Sequence, residues 1–260
     1  MQTVTNNLRK QVRQLAQAKH RRELGLFCAE GTKCVLDTLG AFSVDTLIAT
    51  RAWLDAHPDT GVDDGRIALA TAADLERMTS LTTAPQVIAV YKIPDNKPDI
   101  SALAGKLTVA LDRVQDPGNL GTIMRVCDWM GVRTILASND TVDLYNPKVV
   151  QATMGSISRV KVYYTHLPAT LLELRSAGMP VYGTFLDGKD IYTTPLTAEG
   201  VIVMGNEGNG VSDAVAAAVT HRLYIPPYPP QSVTAESLNV SMATAITLAE
   251  FRRRIIAPGI

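Results

Sequence analysis

The fold class follows first from the stretch Val201-Ile202-Val203-Met204-Gly205-Asn206-Glu207-Gly208-Asn209-Gly210, in which four apolar residues run into a glycine-rich turn. A continuous apolar run indicates a strand that is covered on both faces, as parallel strands are. Similar apolar runs, mostly separated by helical stretches, occupy residues 107–111, 134–137, 160–164, 181–186 and 223–225. This alternation predicts an α/β fold whose C-terminal part is an open parallel sheet with helices on both faces.

A proline-containing segment divides the chain. Residues 93–99 combine Pro94 and Pro98 with several polar residues, which disfavours both a helix and a central strand. We therefore predict a first domain over residues 1–93, a linker over 94–104 and a second domain over 105–260. Helical spacing over residues 6–19 and a strand-like run over 24–29 make the first part a small α/β domain.

The composition narrows the class of protein without identifying it. The chain has 260 residues, of which 46% are apolar, and it carries 25 basic and 25 acidic residues. Zero net charge argues against a protein that coats nucleic acid by overall charge, although a local basic patch is compatible with it. The spacing of the three cysteines and four histidines predicts neither a disulfide framework nor a metal site. Without an apolar run of membrane-spanning length or a signal-peptide pattern, we expect a cytoplasmic protein that does not enter the membrane.

Three loops that follow predicted strands are candidates for a functional site, because ligands of open α/β sheets bind at the carboxyl ends of the strands. The first loop contains Asn119 and Gly121 and leads into a helix that carries Arg125. A tight turn with Asn119 as the helix cap would explain the loop residues. It would not explain the arginine, which lies among apolar residues and must face solvent or a polar cleft.

The second and third loops are ambiguous when each is taken alone. The second contains Gly205, Gly208 and Gly210 and matches neither a P-loop nor a dinucleotide fingerprint, so a wide strand-to-helix turn explains it equally well. In the third, Ile225-Pro226 ends a strand and Ser237-Leu238-Asn239 precedes a long helix. Either the serine or the asparagine could simply cap that helix.

Taken together and in this order, the loops resemble the motifs of the SpoU (TrmH-like) family of RNA ribose methyltransferases, in the SPOUT superfamily. Residues 19–31 also resemble the opening of the family's accessory substrate-binding domain, which is similar to a small ribosomal protein. One departure is the segment between Pro226 and Ser237, which is longer and richer in proline than is usual. The matched motifs are Asn119-x-Gly121 with Arg125, Gly205-Asn206-Glu207-Gly208-x-Gly210, and Ile225-Pro226 with Ser237-Leu238-Asn239-Val240-Ser241.

The resemblance implies a deep trefoil knot in the second domain, a homodimer that packs through it, and S-adenosylmethionine as the cofactor. It implies RNA as the substrate, with rRNA favoured over tRNA because the accessory domain resembles that of rRNA-directed members, and it implies no metal. The residues expected to line the cofactor pocket are Thr184, Gly205, Asn206, Gly208, Gly210, Ile225, Pro226 and Leu238.

The residues that the resemblance places at the reaction are Arg125, Asn119, Ser237, Asn239 and Glu207. Since arginine stays protonated in proteins, we expect Arg125 to bind an RNA phosphate and stabilise the forming alkoxide rather than to act as a base. The two asparagines and the serine are expected to orient the ribose and Arg125. Glu207 is expected to hold either Arg125 or Asn119 in place.

The N-terminal segment carries six Lys or Arg residues before its first acidic residue, Glu23. A solvated helix face would explain such a run, but its position in the predicted RNA-binding domain favours contact with phosphates. The residues expected to contact RNA are Arg9, Arg13, Arg21, Arg22 and Arg113.

Other functions stay open from the sequence. The chain could be a non-enzymatic RNA-binding or ribosome-assembly factor on the same fold, could act on tRNA, or could methylate a base. An unrelated nucleotide-binding enzyme would leave the three matched loops as coincidence. Neither the RNA nor the modified nucleotide is determined.

Overall fold

The computed structural model describes residues 1–95, 97–229 and 235–256; of Ile256 only the backbone is described. The strands are β1 (Gln2–Thr3), β2 (Leu26–Glu30), β3 (Val44–Ala49), β4 (Ile67–Leu69), β5 (Val87–Lys92), β6 (Leu107–Leu111), β7 (Thr134–Ser138), β8 (Lys161–Thr165), β9 (Val181–Asp190), β10 (Gly200–Met204) and β11 (His221–Tyr224). The α-helices are α1 (Asn6–Gln14), α2 (Ala18–Leu24), α3 (Thr32–Thr38), α4 (Arg51–Ala56), α5 (Ala72–Met78), α6 (Pro117–Trp129), α7 (Pro147–Ala152), α8 (Leu167–Ser176), α9 (Asp213–Ala216) and α10 (Val240–Ile256).

The chain forms two compact units. The first contains residues 1–95 and 143–159, and the second contains the described parts of 96–142 and 160–260. Residues 143–159, which the predicted second domain included, therefore pack with the first unit. The assignment of an RNA-binding role to one domain and a methyltransferase role to the other stays a prediction.

The first unit is built on a mixed sheet with strand order β1-β4-β3-β5-β2. The predicted helix over residues 6–19 is in fact two helices, α1 and α2. The predicted strand from residue 24 begins only at Leu26, because Gly25 ends α2 in a left-handed conformation (φ 64°) that glycine adopts readily. Helix α5 begins where the sequence predicts, since Thr71 and Asp74 form a reciprocal capping box.

The second unit contains a six-stranded sheet in which every neighbouring pair is parallel, with strand order β11-β9-β10-β6-β7-β8. This confirms the predicted α/β class and parallel sheet. The central strands β6 and β10 are buried along their whole length and pair in register from Gly200 with Leu107 to Met204 with Leu111. Because both strands end at the same level, the loops that follow them meet at one edge of the sheet.

Several element boundaries differ from the predicted ones. Helix α6 begins at Pro117 rather than at residue 123, because proline suits the first turn and Asp116 caps it through a hydrogen bond from the Asn119 N–H. Helix α9 is shorter than the predicted span of 211–219, and β9 continues four residues beyond its predicted end at Leu186. In the described part of the chain, no helix combines the length and apolar character required to cross a bilayer.

Candidate active site

The edge formed by the carboxyl ends of β6 and β10 begins with a buried carboxylate, Asp112. Its N–H donates to the carbonyl of Met204 at 2.9 Å, and its Oδ2 accepts a hydrogen bond from the N–H of Ser212 at 2.6 Å. These two contacts join the loop after β6 to both ends of the glycine loop after β10. Sequence reasoning missed Asp112 and Ser212, although an acidic residue directly after a buried strand was a signal for the first.

The three motif loops are connected by a chain of side-chain hydrogen bonds, which we call the amide network (Asn119, Asn206, Glu207 and Asn239). Asn239 Nδ2 donates to Asn119 Oδ1 at 2.9 Å, and Asn119 Nδ2 donates to Glu207 Oε1 at 2.9 Å. Asn206 Nδ2 donates to Glu207 Oε2 at 3.3 Å. Since both ends of the Asn119 amide are bonded, the network fixes the orientation of that side chain.

Glu207 was expected to hold either Arg125 or Asn119, and the second alternative is the one that forms. Arg125 lies on α6 six residues after Asn119 and is exposed. Within the described parts of the chain, its guanidinium has no hydrogen bond and no ion pair. It is therefore available to a ligand, whereas the carboxylate of Glu207 is committed to two amides.

The glycine loop is organised by its own asparagine. Asn206 Oδ1 accepts hydrogen bonds from the N–H groups of Gly208 and Asn209, both at 3.0 Å, and the Asn206 backbone pairs with that of Gly210. A Cβ at Gly205 would lie 2.3 Å from the carbonyl carbon of Gly210, so only glycine fits there. Asn206 and Gly205 thus shape the loop, and residues 208–210 present exposed backbone.

The third loop uses Asn239 twice. Its Oδ1 caps α10 by accepting from the N–H of Ser241 at 2.9 Å and from the Ser241 hydroxyl at 2.5 Å, while its Nδ2 belongs to the amide network. The capping interpretation was therefore correct for Asn239 but incomplete. Ser237 and Leu238 are exposed. Residues 230–234 of the proline-rich departure lie outside the described residues.

The remaining residues of the expected cofactor pocket follow neighbouring strands. Thr184 lies within β9 rather than at its end, is half-buried, and its hydroxyl is 3.5 Å from the carbonyl oxygen of Val203. Ile225 and Pro226 follow β11 and are half-buried, while Leu238 is 51% exposed. Apolar surface of these residues is therefore partly uncovered. The strand that carries Thr184, β9, lies between β11 and β10 in the sheet, and β10 leads into the glycine loop.

The five arginines expected to contact RNA lie in different environments. Arg21 is only 2% exposed, and its guanidinium donates to Asp143 Oδ2 at 2.5 and 3.1 Å and to the carbonyls of Leu15 and Ala16. The expectation for Arg21 was wrong, because protein groups already occupy its donors. Arg9 pairs with Asp74 and is half-buried. Exposed positions on the first unit are occupied by Arg13 and Arg22.

Arg113 has an unusual backbone. Its φ of 58° is rare for a residue other than glycine. The conformation is held on both sides, since the Arg113 N–H donates to Ser138 Oγ at 2.8 Å and the Arg113 carbonyl accepts from Asn206 Nδ2 at 2.7 Å. The side chain is partly exposed and pairs with Asp112 at 3.4 Å.

A parallel sheet with a polar network at its carboxyl edge is typical of α/β proteins that bind a ligand or catalyse a reaction at that edge. The chain belongs to the SpoU rRNA Methylase family, whose sequence model matches residues 106–249. A second model, the MRM3-like substrate binding domain, matches residues 6–89. The two matches together span most of the chain and confirm the resemblance that the motifs indicated.

Individual relatives agree with this membership over nearly the full chain. The 23S rRNA (guanosine(2553)-2'-O)-methyltransferase RlmP of Bacillus subtilis (strain 168) is 30% identical, over 97% of this chain and 98% of the relative. The AdoMet-bound rRNA methyltransferase from Sinorhizobium meliloti has a TM-score of 0.84 and 31% identity, covering 99% of this chain and 98% of that structure. A TrmH-family structure from Porphyromonas gingivalis has a TM-score of 0.88 and 37% identity, covering 97% of this chain and 99% of that structure.

Proposed function

We propose that this protein transfers a methyl group from S-adenosylmethionine to a ribose 2′-hydroxyl of rRNA. The observation that carries the proposal is the amide network, which brings the three motif loops together at the carboxyl edge of the sheet; Arg125 is exposed six residues after Asn119 on α6. Family membership and the rRNA methyltransferases among the relatives support the same reaction.

The residues at this edge fit the proposed cofactor. A nucleoside with an apolar ring face and a charged tail requires both uncovered apolar side chains and free backbone polar groups. Half-exposed Leu238 and half-buried Ile225 provide the first. The second is provided by the carbonyls of exposed Gly208 and Asn209, which accept no hydrogen bond within the described residues. Thr184, Gly205, Asn206 and Pro226 would complete the site. When bound, S-adenosylmethionine supplies a methyl group on a sulfonium, which is a good leaving group.

The chain's own residues would contribute orientation and charge. Asn119 and Asn239 are held by the amide network, and together with Ser237 they would hydrogen-bond the ribose so that its 2′-oxygen lies in line with the methyl group. Arg125 would bind an adjacent phosphate and stabilise the negative charge that develops on the 2′-oxygen as its proton leaves. Glu207 acts through Asn119 and is a positioning residue.

We propose that the exposed cations of the first unit bind the RNA backbone. Arg13 and Arg22 face solvent, and neither is hydrogen-bonded or ion-paired within the described parts of the chain. Phosphate contacts of this kind add affinity without reading sequence. The match of residues 6–89 to a substrate binding domain supports this role.

We also propose the trefoil knot and the homodimer as finer features of the second domain. Helix α10 packs along α6, and Arg252 Nε donates to the Met130 carbonyl at 2.7 Å. On these helices Trp129 is 88% exposed and Met242 is 50% exposed, apolar surface that a second copy would cover. Trp129→Glu should convert a dimer to a monomer in light scattering; a wild-type chain that is monomeric at micromolar concentration would contradict the homodimer. An experimentally determined trace of residues 200–256 tests the knot.

The proposed reaction is tested by mass-spectrometric mapping of ribose methylation in rRNA and tRNA from cells with and without the gene. The expected result is the loss of one 2′-O-methyl group from rRNA. Loss of a 2′-O-methyl group from tRNA instead would show that tRNA, and not rRNA, is the substrate. Calorimetry with S-adenosylmethionine tests the remaining alternative. No cofactor binding and no methylation would indicate a non-enzymatic RNA-binding or assembly factor. A cytoplasmic location is proposed together with this substrate.

A further inference from the structure

A cavity of about 230 Å³ lies at the carboxyl ends of β6, β7 and β8, within the second unit. It is distinct from the expected cofactor pocket, because none of the residues assigned to that pocket lines it. It is also lined by the start of α8, while Ser212 and Val215 close one side. The polar residues on its wall that bear on its ligand are Arg113, Ser138, Asp140, Thr165 and Ser212.

Two polar atoms on this wall lack hydrogen-bond partners although they are shielded from solvent. They are Arg113 Nε and Thr165 Oγ1. Buried polar atoms are nearly always hydrogen-bonded, and an exception calls for an explanation. Arg113 Nε lies 3.4 Å from Asp112 Oδ1 in an ion pair without hydrogen-bond geometry, whereas Thr165 Oγ1 has no partner within the described residues. A polar ligand in the cavity would account for the Thr165 hydroxyl.

The cavity is joined to the amide network through the backbone of Arg113. The Arg113 carbonyl accepts from Asn206 Nδ2, and the same amide group donates to Glu207, which holds Asn119. A glycine would adopt the left-handed conformation at position 113 more readily than an arginine does. Arg113 thus has a strained backbone at a position where glycine would not be strained, which indicates that its side chain has a function on this wall.

The charges on the wall define the ligand. Asp112 is buried and already paired, whereas Asp140 is exposed and has no partner in the described parts of the chain. A free carboxylate on the same wall as an arginine that is already ion-paired with Asp112 disfavours a phosphate, which would be repelled. It favours a neutral ring with donors on one edge and acceptors on another. Guanine has this pattern, since N1–H and N2–H donate while O6 and N7 accept.

We propose that this cavity binds a guanine base of the substrate RNA, turned out of its stack, with Asp140 accepting from N1–H and N2–H and Arg113 donating to O6 or N7. The inference rests on the proposed function, which supplies the RNA. Adenine would place an unprotonated N1 against the Asp140 carboxylate, and uracil offers it a single N–H. The cavity thus selects the base, while the amide network acts on the ribose.

Binding of GMP, AMP and UMP to the full chain tests this by saturation-transfer NMR in the presence of saturating S-adenosylmethionine, which keeps AMP out of the pocket proposed for the cofactor's adenosine. The three probes share their phosphate, so a difference reports the base. Wild type should bind GMP about tenfold more tightly than AMP or UMP, and both Asp140→Asn and Arg113→Lys should remove that preference. Asp59→Asn, the same chemical change at an exposed position of the first unit, should retain it.

Equal binding of the three nucleotides by wild type, or absence of GMP binding, would overturn the guanine site. So would a GMP preference that survives in both cavity variants. Circular dichroism of each variant excludes misfolding as the cause of a loss. Calorimetry with S-adenosylmethionine is run on the same samples. A variant that loses the guanine preference but binds the cofactor as wild type does is altered in this cavity alone. Wild type that binds no cofactor would contradict the proposed function.

Discussion

The carboxyl edge of the parallel sheet and the N-terminal basic segment (residues 9–22) use polar side chains in opposite ways. In the amide network each side chain is bonded to the next, from Asn239 through Asn119 to Glu207. In the basic segment Arg13 and Arg22 extend into solvent. Fixed groups can position a reacting oxygen, whereas exposed cations attract a polyanion without fixing it. The comparison separates residues that set the rate from residues that set the affinity.

One arginine breaks this pattern, and its removal should have the largest effect on stability. Arg21 belongs to the basic segment but is buried against Asp143 and two backbone carbonyls. Arg21→Met should lower the free energy of unfolding by about 3 kcal/mol, because it leaves a carboxylate and two carbonyls without their donor. Chemical denaturation measures the loss. The neighbouring Arg22→Met should change stability by less than about 0.5 kcal/mol, and equal effects of the two variants would contradict the distinction.

Removal of Arg125 should have the largest effect on the reaction. It is the exposed cation of α6, and Arg125→Ala should reduce kcat by about 100- to 1000-fold, since it removes the charge proposed to stabilise the developing alkoxide. Single-turnover methyl transfer to rRNA measures the change, and binding of S-adenosylmethionine should stay unchanged. Arg125→Lys, which keeps the charge but loses the planar guanidinium, should recover part of the rate. Activity of the alanine variant within a few-fold of wild type would refute the assignment.

A break in the amide network should have a smaller effect. Asn119→Ala removes the link between Asn239 and Glu207 and should reduce kcat by about 10- to 100-fold through misplacement of the ribose. Asn119→Asp keeps the size and an acceptor for Asn239 but places two carboxylates against each other, so it should not restore the rate. The expected signature is a lower kcat with little change in the KM for S-adenosylmethionine. A change confined to that KM would assign Asn119 to the cofactor instead.

The central strands could be predicted from the sequence because burial on both faces leaves a continuous apolar run. Residues 107–111 were identified with their observed bounds, and the predicted start of β7 was correct. The association of residues 143–159 with the first unit could not be predicted. It depends on contacts such as that between Arg21 and Asp143, which are 122 positions apart and have no local pattern.

The candidate site was predictable in its residues but not in its contacts. The motifs identified Asn119, Glu207 and Asn239, while the alternatives for Glu207 could be separated only by geometry. In the basic segment, the sequence gives Arg21 and Arg22 the same character. Adjacent residues on α2 point about 100° apart, so only tertiary packing determines which of them is buried. The left-handed backbone of Arg113 has no sequence signal, because it results from contacts with Ser138 and Asn206.

The smallest effect is expected from the exposed side of the comparison. The double variant Arg13→Glu/Arg22→Glu should weaken binding to rRNA roughly tenfold at moderate salt and lower the slope of log affinity against log salt by about 1 to 2, as the loss of two phosphate contacts requires. Filter binding at several salt concentrations measures both quantities. Arg51→Glu/Arg77→Glu, an equal change of charge at other exposed positions of the first unit, is the control. If the control weakens binding as much, overall charge rather than this segment attracts the RNA. If kcat at saturating RNA also falls in the first variant, the separation between residues that position the ribose and residues that hold the RNA does not apply to this protein.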